Sequence, residues 1–124
     1  GDTNFLLGKQ AAVARTATAT GATTGTIADA GLLQFITVTS DDANKIIILP
    51  TPTPGAIVIL ANGATGYELR SSTPASIAIN GGSGADAESA IAASTLVVAV
   101  CKTSTAWAAF SLVATTLAAV EAAA

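Results

Sequence analysis

Histidine and methionine are absent from this chain of 124 residues, and cysteine occurs once. Without histidine there can be no Ser-His-Asp or Cys-His catalytic arrangement and no imidazole-ligated metal. No side chain is left whose ordinary pKa lies near neutrality, so general acid-base catalysis has no natural carrier and an enzyme is not expected. Charge is almost as scarce: charged residues make up 10% of the chain, against about a quarter of an ordinary soluble domain. That is too little to coat a free monomer, which points to a surface covered by other subunits. Five basic residues against eight acidic ones give a net charge of −3. The basic footprint of a nucleic-acid binder is missing, and so is the polybasic patch that holds a protein on an anionic membrane. Aromatic residues amount to 4% of a chain that is 51% hydrophobic, so the core must be assembled from Ala, Val, Ile and Leu. Cys101 has no second cysteine to pair with; it reads as a small buried hydrophobe in a protein made in a reducing cytosol.

The length allows one domain with a single core. The opening Gly1-Asp2-Thr3-Asn4 lacks the basic and apolar regions of a signal peptide, so export is not expected. Thr103 to Val120 carries no charge, but Thr103, Ser104, Thr105, Ser111, Thr115 and Thr116 interrupt it and no basic flank follows. A membrane-spanning helix is not expected there.

What is present has the pattern of an all-β protein: short apolar runs punctuated by Gly, Pro, Asn and Asp. Residues 1–30 hold the alternation Thr16-Ala17-Thr18-Ala19-Thr20 and little that is large enough to bury, and they read as an extended N-terminal arm. Residues 31–116 read as a single small β-sandwich or barrel-like domain. Strands are expected over residues 32–39, 45–49, 56–61, 67–70, 76–80, 96–102 and 106–115. Pro50-Thr51-Pro52-Thr53-Pro54-Gly55 must be a stiff connector, because three of its residues lack an N–H. Ala56 to Ala61 is apolar on both faces and must therefore be central or sandwiched. The last two strands form a hairpin around Thr103-Ser104-Thr105, with Trp107 and Phe110 on opposite faces of the second. Residues 117–124 form a short Ala-rich C-terminal tail, with Leu117 and Val120 spaced for a helical turn or two, ordered only if docked.

Few combinations of residues could carry chemistry. Asp41 and Asp42 read as turn formers, and Glu68 and Arg70 share one strand face, where an ion pair between subunits is the sharper expectation. Asn80, Asp86 and Glu88 flank a glycine-rich stretch that could offer oxygen ligands to Ca²⁺, but the twelve-residue EF-hand pattern is missing, so no metal is expected. No Gly-Lys-Ser/Thr occurs, and no catalytic residue and no cofactor are expected. The stretch from Asn80 to Ser94 reads as a long loop whose length suggests a role beyond connection.

Ile46-Ile47-Ile48-Leu49-Pro50 through Pro54-Gly55, Tyr67-Glu68-Leu69-Arg70-Ser71-Ser72, Ile77-Ala78-Ile79-Asn80-Gly81-Gly82, Ala87-Glu88-Ser89-Ala90-Ile91, and Val100-Cys101-Lys102 followed by Trp107 together resemble small head decoration (cement) proteins of tailed bacteriophages, notably phages of cyanobacteria. The resemblance covers roughly residues 26–113. It implies a β-rich protein, commonly a trimer, made in the host cytoplasm and seated on the outer capsid surface of the virion. There it would bridge neighbouring subunits of the major capsid protein. In that setting Lys9 and Arg15 of the arm would meet acidic capsid surface. Glu68, Arg70, Trp107 and Phe110 would lie at or near subunit contacts. The alternative is an adhesive or receptor-binding β domain of a phage fibre or a bacterial surface protein, with the stretch from Asn80 to Ser94 as its contact site.

Overall fold

The chain moves repeatedly between two sheets, because runs of four to eight apolar residues separated by Gly, Pro and Asn can cross from one layer to the other in a single short connection. A computed structural model describes residues 11–124. Its strands are β1 (Val13–Thr16), β2 (Leu33–Thr39), β3 (Ile46–Ile48), β4 (Ile57–Asn62), β5 (Tyr67–Arg70), β6 (Ala78–Ile79), β7 (Ser89–Ile91), β8 (Leu96–Thr103), β9 (Ala106–Val113) and β10 (Thr116–Ala119). A seven-stranded sheet runs in the order β1-β2-β4-β8-β9-β10, with β6 also paired to β9. A three-stranded sheet has the order β3-β5-β7. From β2 to β8 successive strands alternate between the large and the small sheet. The protein is all-β, with a single 3₁₀ turn among the described residues, at Thr23–Gly25.

The core lies between the two sheets. Ile36 and Val38 of β2, Val58 and Leu60 of β4, Val97, Ala99 and Cys101 of β8, and Trp107 and Ala109 of β9 are buried on the inner face of the large sheet. Against them stand Ile47, Tyr67, Leu69 and Ile91 from the small sheet. Each fully buried Ile, Leu or Val contributes about 1.5–3 kcal/mol of transfer free energy. Two large side chains fill the centre, Trp107 and Tyr67, both fully buried. Trp107 Nε1 and the Tyr67 hydroxyl have no hydrogen-bond partner among the described residues, and burial pushes the Tyr67 hydroxyl pKa well above its ordinary value.

The expected boundary at residue 30 gives way to continuous structure from Val13. β1 pairs in parallel with β2, placing Val13 beside Ile36 and Thr16 beside Thr39. The chain then runs along the free edge of β3. Thr18 exchanges backbone hydrogen bonds with Ile46 (3.2 and 2.7 Å), and the Ile27 N–H donates to Ile48 O (3.0 Å). Gly21 sits over this edge with φ of +78°, and a Cβ there would lie 2.5 Å from Ile48 Cγ1, so no other residue fits without displacing it. Ile27 is a core residue. Residues 1–10, the remainder of the expected arm, lie outside the described residues.

The tail also differs from expectation. Instead of a helical turn, Thr116–Ala119 is β10, antiparallel to the end of β9, because Ala109 and its neighbours on the open edge of β9 offer backbone partners that an isolated helical turn lacks. Residues 120–124 then bridge the two sheets. The Val120 N–H donates to Ala109 O (3.1 Å), the Ala123 N–H to Ile79 O (3.2 Å), and Ala124 and Glu88 exchange two backbone bonds of 3.0 and 3.2 Å. Val120 and Ala123 are buried, and Gly82 lies so close to the Ala123 backbone that a Cβ would overlap it.

One side chain joins these parts. The outer edge of β9 is shared, with β6 beside Ala106 and Trp107 and β10 beside Phe110 to Val113. In the gap stands Asn80, at φ of +51°, a left-handed backbone that Asn adopts more readily than most residues. Its Nδ2 donates to Ala109 O (2.8 Å) and Val120 O (2.6 Å), and its Oδ1 accepts the Ala109 N–H (2.8 Å). The amide thus takes the place of a missing strand residue. Asn62 does similar work at the opposite end: its Nδ2 donates to Thr65 O and Ala92 O, both at 3.0 Å, and its Oδ1 accepts the Thr95 N–H at 2.9 Å.

Candidate interaction surface

Strand alternation sends every second residue of the large sheet away from the core. Cross-strand register lines these residues up in rows. The middle row is Phe35–Ile59–Val98–Phe110–Ala119, across β2, β4, β8, β9 and β10. On one side of it runs Leu33–Ile57–Val100–Ala108, and on the other Thr37–Ala61–Leu96–Leu112–Leu117. Thr37 is the one polar residue in the three rows, and Lys102, at the β-bulge where β8 ends, is the only charged residue on these five strands. No part of the small sheet covers this face. Leu33 is 47% exposed, Phe110 39%, Leu112 38% and Leu117 66%, and Phe35, Ile57, Ile59, Leu96, Val98 and Val100 are half-buried by their neighbours in the sheet. At about 4.8 Å per strand the middle row spans about 19 Å.

The other residues singled out in the sequence fall elsewhere. Trp107 and Phe110 do point to opposite faces of β9: Trp107 into the core, Phe110 onto the bare outer face. Glu68 and Arg70 share the outer face of the small sheet, beside Ile46 and Ile48 of β3. Within the chain Arg70 has partners of its own. Arg70 Nη2 binds Glu88 Oε1, and its Nη1 lies 3.5 Å from exposed Asp86 Oδ1. β7 and the segment before it bring these acids to the end of β5, a pairing of distant stretches that spacing alone does not reveal. Partial burial, with Glu88 and Glu121 nearby, raises the Glu68 pKa above its ordinary value, and Arg70 offsets this only in part. Arg15 is half-buried on β1, with its Nε lacking a partner among the described residues. Lys9 lies outside the described residues.

The stretch from Asn80 to Ser94 is tied down along most of its length, by Asn80, by β7, by the Glu88 bonds to Arg70 and Ala124, and by Ser89 Oγ, which donates to Glu121 O at 2.8 Å. Asp86 and Glu88 are therefore spoken for as partners of Arg70, and no cluster of three His, Cys, Asp or Glu residues suited to a metal occurs among the described residues. Cys101 is buried, and burial raises its thiol pKa, the reverse of what a reactive thiolate needs. Two concavities among the described residues are small, about 150 and 140 Å³: one lies beside Asp29, Leu32 and Pro50, the other beside Ile91, Ser111 and Val120. Neither gathers groups for catalysis, since each has a single acid, Asp29 or Glu121, and no base. The most distinctive surface is thus the uncharged outer face of the large sheet. No protein family, no curated protein and no solved structure matches this chain.

Proposed function

We propose that this protein is a structural component of a tailed-phage virion, a decoration or cement protein that stabilises the head by bridging subunits of the major capsid protein. It would act as a homo-oligomer, with a trimer the expected form, on the outer capsid surface after synthesis in the host cytoplasm. The observation that carries this reading is the combination of very low charge with a broad apolar sheet face that the described residues leave bare. Such a surface suits a permanent assembly. The resemblance over residues 26–113 supplies the kind of assembly.

The mechanism needs no bond-making. A protein that binds the expanded shell, and not its dissociated subunits, shifts the equilibrium toward the intact shell by mass action at many equivalent sites. Residues 1–10, with Lys9, are the segment proposed to meet acidic capsid surface. Because β1 begins at Val13 and belongs to the large sheet, the deletion that tests this stops at residue 10.

The test uses particles with and without the protein. Shells lacking it should assemble but open at a lower temperature, and purified protein added back should restore resistance saturably while adsorption to cells stays unchanged. Full heat resistance with lost adsorption would refute this reading and favour the receptor-binding alternative.

A further inference from the structure

We infer that the outer face of the large sheet is the self-association surface of this protein, packing on the same surface of the other copies in the oligomer. The inference rests on the reading of the chain as a permanent assembly component and names the partner of one face.

Three features of the face favour a second copy over other occupants. The first is charge. In a contact between identical surfaces each charged residue risks meeting its own kind, and the three rows contain none. The second is relief. Exposed Phe110 and Leu117 lie beside the small residues Ala108 and Ala119, so one surface carries both large and small side chains, as close packing needs. Sheets of this kind stack at about 10 Å with their side chains interdigitated. The third is size. The middle row is about 19 Å long and the three rows span about 14 Å along the strands, a patch of about 300 Å² in plan, within the range of the largest patches monomers leave bare (about 300–600 Å²). A lipid surface fits less well, because Lys102 is the one cation on these strands and the net charge is −3.

Sedimentation of the full chain at micromolar concentration tests this without any capsid. The wild type should run as an oligomer. Phe110→Lys and Leu117→Glu should each weaken association at least tenfold while the far-ultraviolet circular dichroism and Trp107 fluorescence stay unchanged. Ala90→Lys, on the exposed face of the small sheet, should leave the mass unaltered, and so should removal of residues 1–10. Should Phe110→Lys fail to fold, Leu117→Glu decides, since that side chain is 66% exposed on an edge strand. A monomeric wild type, or charged variants that keep the wild-type mass, would overturn the inference. Dissociation on removing residues 1–10 alone would also overturn it, and would make Phe5-Leu6-Leu7 the occupant of the face. A chain that assembles through this face yet leaves shells unprotected from heat would sink the proposed function and not this inference.

Discussion

Asn80 offers the sharpest test of how the fold is closed. Replacing it with Ala removes three side-chain hydrogen bonds, two to Ala109 and one to Val120. Each contributes about 1 kcal/mol net, and more where a carbonyl is left buried without a donor. Alanine must also hold the left-handed backbone at φ of +51°, which costs an L-residue about 1–2 kcal/mol. Together the loss should be about 4–5 kcal/mol, a fall in Tm of roughly 15 °C or more for a chain of this size. Asn80→Gly loses the same bonds but accepts the backbone freely, so it should be about 1 kcal/mol less harmful than Ala. Urea unfolding followed by Trp107 fluorescence gives both values. Repeating it over a tenfold range of protein concentration separates unfolding from subunit dissociation. Amide exchange supplies a local readout: the Val120 and Ala123 N–H groups should lose protection before those of β4 and β8. A loss under about 1 kcal/mol for Asn80→Ala, or unchanged protection at Val120, would refute the idea that this amide stands in for a strand residue.

Three further outcomes are expected. Trp107→Ala should cost about 3–5 kcal/mol in urea unfolding, while Phe110→Ala on the outer face should cost the isolated fold much less; equal losses would mean that the two faces of β9 are misassigned. Tyr67→Phe removes a buried hydroxyl that has no partner among the described residues, so thermal unfolding should show unchanged or slightly raised stability, and a drop of more than about 1 kcal/mol would reveal a hydrogen bond there. Glu68 has a raised pKa in the folded state, from burial first and then from Glu88 and Glu121. The folded state therefore holds this proton more tightly than the unfolded chain, and stability falls as pH rises from the ordinary 4.5 through the raised value. Glu68→Gln should accordingly raise Tm relative to wild type at pH 7 but not at pH 3; a gain that is equal at both would have to come from packing and not charge.

Strands with a strong local pattern were legible in the sequence, and those held by distant partners were not. β2, β4, β5, β8 and β9 lie within a residue or two of the runs read from β-branched residues and turn formers. The expected strand over residues 76–80 shrinks to Ala78–Ile79, because Asn80 leaves the extended region to cap β9. β1, β7 and β10 escaped detection because they are short and rich in Ala, Ser and Thr and form where a neighbouring edge offers backbone partners; for β1 and β7 that edge lies about twenty residues away, whereas β10 folds back on β9 across a tight turn that its Ala-rich sequence does not announce. The Thr/Ala alternation after Arg15 did signal extended chain. Its partner, the edge of β3, could not be read from it. The same holds for Arg70, whose acids arrive from the segment just before β7, and for Asn80, which in isolation is one more turn residue.

The candidate surface was half legible, and the reason lies in strand alternation. A strand with one wet face alternates, as β5 does by turning Glu68 and Arg70 outward and burying Tyr67 and Leu69. β4 and β8 do not alternate: Ile57 and Ile59 face away from Val58 and Leu60, and Leu96, Val98 and Val100 face away from Val97 and Ala99. Such strands belong in the middle of three layers. The small sheet provides one covering layer, on the inner face. The chain places charge outward where water is meant to be, since β5 does so, and it omits charge from the three rows that cross five adjacent strands. On the reading proposed above a second copy supplies the layer that the described residues leave out, and the charge of Phe110→Lys, set in the middle row, is the smallest change that should keep it away.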